Sequence, residues 1–212
     1  MLGDMPLPAQ APRILLLFAY ALLFALVEIE IEGPDGWADK LPTWYRIRPW
    51  YARLLAAVLS GKPLTGYHLA MLPLSLLSFH LGLAFGLPWS LKVEARLGAA
   101  YLVFNVVWDF LWFALNPHFG WARFRRGAVW WHGGLWLGRF PIDYWNGLLA
   151  SFVLAGLPWM LAADRGPLVE HAVYTGAMLA LSAGAVAAAP LYQRWYRHMR
   201  RPGSDERSLV RR

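Results

Sequence analysis

Between Ile14 and Val27 the chain carries fourteen residues without a charge, and the run closes on Glu28-Ile29-Glu30-Ile31-Glu32-Gly33. A lipid hydrocarbon core of roughly 30 Å takes about twenty helical residues to cross. This segment therefore spans a membrane only if its helix carries glutamates in with it. A carboxylate at membrane depth is costly, faces protein or water instead of lipid, and marks a functional site. The organising question is which other polar groups reach the same depth.

Four more apolar stretches follow, punctuated by Pro88, Pro117, Pro141 and Pro167. The expected spans are 14–32, 65–87, 96–115, 142–163 and 168–193. With 58% hydrophobic and 16% charged residues, the chain reads as an all-α polytopic membrane protein. The expected architecture is a single domain over 1–212, a bundle of about five transmembrane helices with interfacial amphipathic segments, and a basic tail at 194–212. Thirteen Trp, nine Tyr and eleven Phe suit a membrane–water interface, where an amphipathic ring meets both solvents. The absence of Cys excludes disulfides, thiolate chemistry and Cys-ligated cofactors. Alternating Glu and Ile follow the first apolar run where a cleavage site would need small residues, so removal as a signal peptide is not expected.

The net charge of +7 is unevenly placed. With five spans, sixteen of the twenty Lys and Arg fall on one side, in the loops 33–64 and 116–141 and in the tail. Arg13, Lys92, Arg96 and Arg165 fall on the other. The positive-inside bias then puts the N-terminus outside and the C-terminus in the cytoplasm of a bacterial-type inner (plasma) membrane. Basic residues interleaved with Trp and Phe point to anionic lipid headgroups at the cytoplasmic face as partners, not to nucleic acid.

Two inter-span stretches are too polar or too short to cross. Trp50 to Ser60 puts Trp50, Leu54, Leu55 and Val58 on one stripe, as for a helix lying in the interface. Trp121 to Trp136 mixes arginines with four Trp, which reads as an interfacial anchor, or alternatively as a lid that meets headgroups.

This topology collects the ionisable groups at the cytoplasmic ends. Glu28 and Glu32, four residues apart, share a helix face, and Glu30 points away. Asn105, Asp109, Trp112 and Asn116, spaced four, three and four, form one stripe on an otherwise apolar helix. Counted back from the two cytoplasmic ends, Glu28 and Asp109 fall at similar depths. His68 opens the second span, His118 and His132 lie in the inner loop, and Asp143, Tyr144 and Asn146 open the fourth span.

Three carboxylates near one another repel unless protons or cations intervene. One solution is a divalent metal (Zn²⁺, Mn²⁺ or non-haem iron) held by Glu28, Glu32 and Asp109 with nitrogens from His68, His118 or His132. No HExxH, HxxxH or ExxH pattern supports it. The other solution is a protonated carboxylate in a proton-shuttling pair. The expected function is a membrane-embedded enzyme acting on a lipid or isoprenoid-like substrate. Glu28, Glu32, Asp109 and His132 would do the chemistry, and Trp112, Asn116, Asp143, Tyr144 and Asn146 would shape the pocket. A proton- or cation-coupled transporter, or an accessory subunit with polar groups for helix packing, is the alternative.

Overall fold

The first apolar run forms a helix over Leu7–Glu32 (α1). It ends where Gly33 adopts φ of 62°, the left-handed conformation that closes a helix at little cost to glycine. The computed structural model describes residues 7–58 and 61–200; the tail beyond Arg200 lies outside the described residues. A short helix, Trp50–Val58 (α2), is followed by Gly66–Phe79 (α3) and a single turn, Leu81–Ala84 (α4). Three long helices complete the chain: Leu91–Leu115 (α5), Ile142–Ala162 (α6) and Gly166–Met199 (α7). Helix accounts for 72% of the described residues, and four helices (α1, α5, α6 and α7) are apolar and long enough to span a membrane.

The segment expected to span at 65–87 is broken. Thr65 caps α3 by accepting a hydrogen bond from the His68 backbone N–H, but the helix stops at Phe79. There the His80 N–H bonds the Leu77 carbonyl, a tightened last turn, and α4 restarts for only four residues. Fourteen residues rise about 21 Å, short of a hydrocarbon core. Other boundaries also move. Helix α5 begins at Leu91, five residues before the expected position 96, because its charged first turns are paired. Lys92 pairs with Asp164, His80 Nε2 lies 3.0 Å from Glu94, and Arg96 lies 3.1 Å from Glu170. The Lys92 contact, together with the Gly166 N–H, holds the Asp164 carboxyl below its ordinary range. Helix α7 continues to Met199, with Arg197 and His198 in its last turn, where cations complement the helix dipole.

Long-range hydrogen bonds set the direction of each helix. Asn116, just after α5, donates from Nδ2 to the Gly33 carbonyl at 2.7 Å, so α1 and α5 end at one face. Gln193 of α7 donates to the Ala114 carbonyl at 3.2 Å, so α7 runs the same way. Helix α3 runs opposite to α1: Tyr67 donates to Glu28 near the end of α1, while Ser78 pairs with Tyr20 at 2.5 Å in its middle. Helix α6 starts beside Asp109 and also runs back, with Tyr144 donating to that carboxylate. Helices α1, α5 and α7 thus run one way through the bundle, and α3 and α6 run the other.

Helix α5 is the hub. More than half of its most apolar stretch is buried, against a third or less in the other three long helices. Val103, Phe104, Val107, Leu111 and Phe113 are buried at 0–1% exposure, so its apolar residues surround the axis instead of forming one stripe. Tyr20 and Phe24 of α1 meet Phe104 and Trp108 of α5 ring to ring at centroid separations of 4.9–5.8 Å. Two small antiparallel pairings order the loops at the polar face. Tyr45–Arg46 (β1) pairs with Leu64–Thr65 (β2), and Trp136–Leu137 (β3) pairs with Phe140–Pro141 (β4).

The segment Trp121–Trp136 does not lie on the surface as a whole. Phe124, Val129, Trp131 and His132 are buried at 0–5% exposure, while Trp130 is 51% exposed. Trp131 stacks on Phe113 (5.7 Å, 10°), and a Cβ at Gly36 would overlap its indole. The expectation of an interfacial anchor is therefore corrected for Trp131. Trp130 and Trp131 are consecutive in one 3-10 turn, Trp130–His132, which sends the first ring outward and the second into the core.

Candidate functional site

The carboxylates expected to converge from helical spacing line one cavity of about 440 Å³ at the polar end of the bundle. Helix α1 supplies Glu28 and Glu32 one turn apart, with Ile29 between them in the core and Glu30 exposed. Helix α5 supplies Asn105, Asp109 and Trp112 from its polar stripe. His132 comes from the loop between α5 and α6, and Asp143, Tyr144 and Asn146 come from the start of α6. Leu72, Tyr101, Leu102, Val106, Gly147 and Ala150 continue the wall away from the charges, between α3 and α6. The cavity is thus polar at one end and apolar along its flank, where Asn146 and Ala150 are exposed.

Two groups of side chains meet at the polar end. In the first, Glu28, Glu32 and His68 are buried and bring one donor atom each within 4.8 Å of the others. Tyr67 donates to Glu28 Oε1 at 3.3 Å, and the Ala38 N–H donates to Glu32 Oε1 at 2.6 Å. His68 Nδ1 lies 2.7 Å from Thr65 Oγ1, and its ring stacks on Trp37 at 3.8 Å and 16°. This orientation depends on an unusual loop. Trp37 and Ala38 hold φ of 55° and 57°, a left-handed pair that non-glycine residues adopt at a cost of about 1–2 kcal/mol each. That turn sets the indole on His68 and the Ala38 amide on Glu32.

The second group is a chain of contacts. Lys62 Nζ lies 3.2 Å from Asp143 Oδ2, which lies 3.2 Å from His132 Nδ1. His132 Nε2 lies 3.0 Å from Asp109 Oδ2, which also accepts from Tyr144 at 2.5 Å. An imidazole with a carboxylate at each nitrogen can hold two protons or pass one between the two acids. Lys62 is only 6% exposed and sits over the Trp37 ring at 4.8 Å.

Some residues of the expected set are placed elsewhere. His118 lies outside the cavity, accepting from Arg200 Nη1 at 3.2 Å and meeting the Tyr196 ring edge-on. The cause is local: Asn116 Oδ1 accepts from the backbone N–H groups of His118 and Phe119, a turn that sends Phe119 inward and His118 outward. Asn116 itself ties α5 to Gly33 and does not line the cavity. His132 lines it, but with both nitrogens on carboxylates it is not presented as a metal ligand. Conversely, Lys62 and Trp37 line the cavity and were not expected there, while Tyr67, at the start of α3, joins the site through its hydrogen bond to Glu28. No local signal marks them, since their partners are distant in the chain; only the Gly61-Lys62-Pro63 and Asp35-Gly36 turn residues hint that these loops are shaped.

Comparison with family models, with curated proteins and with solved structures yields no match for the chain.

Proposed function

We propose that the protein is a membrane-embedded enzyme whose substrate is an amphiphile of the lipid or isoprenoid class, its reactive group at the polar end of the cavity and its tail along the apolar flank. The observation that carries this reading is the single cavity that joins the buried carboxylates and histidines to the wall made by Leu72, Leu102, Val106 and Ala150. Such a site orients a substrate with one polar and one apolar end. The chain Lys62–Asp143–His132–Asp109–Tyr144 supplies the proton transfers: its members lie 2.5–3.2 Å apart, within the reach that general acid–base chemistry needs. His132, at the centre of the chain, is buried among the rings of Phe113 and Tyr144, where charge–charge interactions are stronger than in water.

The test is occupancy. Protein purified in mild detergent is expected to retain an extractable amphiphile, measured by lipid mass spectrometry. Ala150→Trp, which fills the flank from an exposed position of α6, is expected to lower its occupancy about tenfold or more. Equal retention in wild type and Ala150→Trp would mean that the cavity does not hold the tail.

In this reading the polar face is cytoplasmic, because the two inner loops and the tail carry sixteen of the twenty basic residues. Helix α2, with Trp50 at 76% and Leu54 at 62% exposure, lies in that interface against anionic headgroups. A reporter fused after Arg212 is expected in the cytoplasm of a bacterial cell and one inserted at Lys92 in the periplasm. Finding both in one compartment would remove the five-crossing topology. A cation-coupled transporter is the second reading, favoured by the Arg96–Glu170 pair with His171 beside it at the opposite face, a second polar layer.

A further inference from the structure

Four carboxylates line the cavity: Glu28, Glu32, Asp109 and Asp143. They share it with one lysine, Lys62, which contacts Asp143. Lys62, Asp143, His132 and Asp109 contact one another in a chain, so Glu28 and Glu32 are left to be compensated by protons or by a cation. Those two glutamates converge with His68, all three donor atoms within 4.8 Å and all three residues buried. His68 is held in the manner of a ligand: Nδ1 faces Thr65 Oγ1 at 2.7 Å, and Trp37 stacks on the ring. If Nδ1–H donates to the threonine, the Nε2 lone pair is left for an ion, the arrangement by which outer partners set the tautomer of a ligating imidazole. An independent feature belongs to the same cavity. Trp112 is 3% exposed and lines the cavity, and its indole N–H has no hydrogen-bond partner among the described residues. An orphaned buried donor of this kind needs an acceptor.

We propose that Glu28, Glu32 and His68 form a binding site for a divalent cation of the zinc, manganese or ferrous class, with the Trp112 N–H donating to a water or anionic group held beside the ion. Two carboxylates and one imidazole make an oxygen–nitrogen set suited to these metals and poorly suited to cuprous copper, which favours sulfur. A bound cation takes the place of protons in compensating the two converging glutamates. Three protein ligands leave coordination positions open toward the cavity, so the ion can meet water or a ligand head. The site goes beyond the amphiphile reading, since it does not depend on what fills the apolar flank.

The experiment strips the purified protein with chelator and titrates it separately with Zn²⁺ and Mn²⁺, reading bound metal by mass spectrometry after desalting. Wild type is expected to bind one of them stoichiometrically. Glu32→Gln and His68→Gln are expected to weaken it about 100-fold or more, and Thr65→Val about 10–100-fold, with Thr65→Ser restoring it. Asp109→Asn is expected to stay within about tenfold, because that carboxylate belongs to His132 and Tyr144. Circular dichroism checks folding, and the amide variants keep the side-chain shape without a carboxylate to compensate, so they should fold. The proposal is overturned if wild type binds no more metal than the Glu28→Gln/Glu32→Gln double variant. It is also overturned if Asp109→Asn abolishes binding as fully as Glu32→Gln. Ala150→Trp separates the two readings: it should bind metal as wild type does even where it excludes the amphiphile.

Discussion

Asp109→Asn is expected to leave the protein folded and to remove its turnover, by about 10²–10⁴-fold, the share that a positioned acid or base contributes. Asp109 Oδ2 accepts from Tyr144 at 2.5 Å and faces His132 Nε2 at 3.0 Å, so the residue sits in the middle of the proton chain. Asparagine keeps the shape and one acceptor but loses the basicity. Stability should hold or rise, because one of four carboxylates in the cavity is neutralised and His132 keeps Asp143 as its partner. The control is Glu30→Gln, on the exposed face of α1 beside Tyr196, which should change neither property. The measurements are conversion of the co-purified amphiphile and the thermal midpoint in detergent. Full turnover in Asp109→Asn would exclude the proton chain from the chemistry. A parallel fall of turnover and midpoint would make Asp109 a packing residue.

The second large effect is on stability. Trp131→Ala is expected to cost about 3–5 kcal/mol, the range for deleting a large ring from a packed interior. Its neighbour Trp130→Ser, at an exposed position, is expected to stay within about 0.5 kcal/mol. Trp131 stacks on Phe113, meets Trp112 and Phe119 edge-on or tilted, and fills the space that Gly36 leaves open. It also lines the cavity, so its loss would open the polar end to water. Denaturant or heat titration of the two variants separates the roles. Equal midpoints would show both rings at the interface, as the sequence suggests.

The periodicities that carried the sequence reading are local, and that is why they held where they did. Glu28 and Glu32 had to share a face because four residues make about one helical turn, and the same rule put Asn105, Asp109 and Trp112 on one stripe of α5. Apolar length marked α1, α5, α6 and α7 as helices able to cross a membrane. Length also misled at 65–87, because hydropathy does not register the joint at His80, and at position 96, because charges that look like a loop are paired across helices.

What the sequence determined by itself, then, is the set of helices and the faces on which their polar residues lie. Both follow from backbone geometry and from the cost of exposing charge to lipid. Only the tertiary structure decided which polar groups meet. Lys62 enters the cavity because β1–β2 pairing and the left-handed turn at Trp37–Ala38 fold the segment between α1 and α3 back over the helix ends. His132 lies between Asp109 and Asp143 because the loop between α5 and α6 packs its Phe124 and Trp131 against α5. His118 leaves the site because Asn116 captures the backbone after Pro117. These are contacts between residues far apart in the chain, chosen by packing and hydrogen-bond geometry in three dimensions, and no spacing along the sequence encodes them.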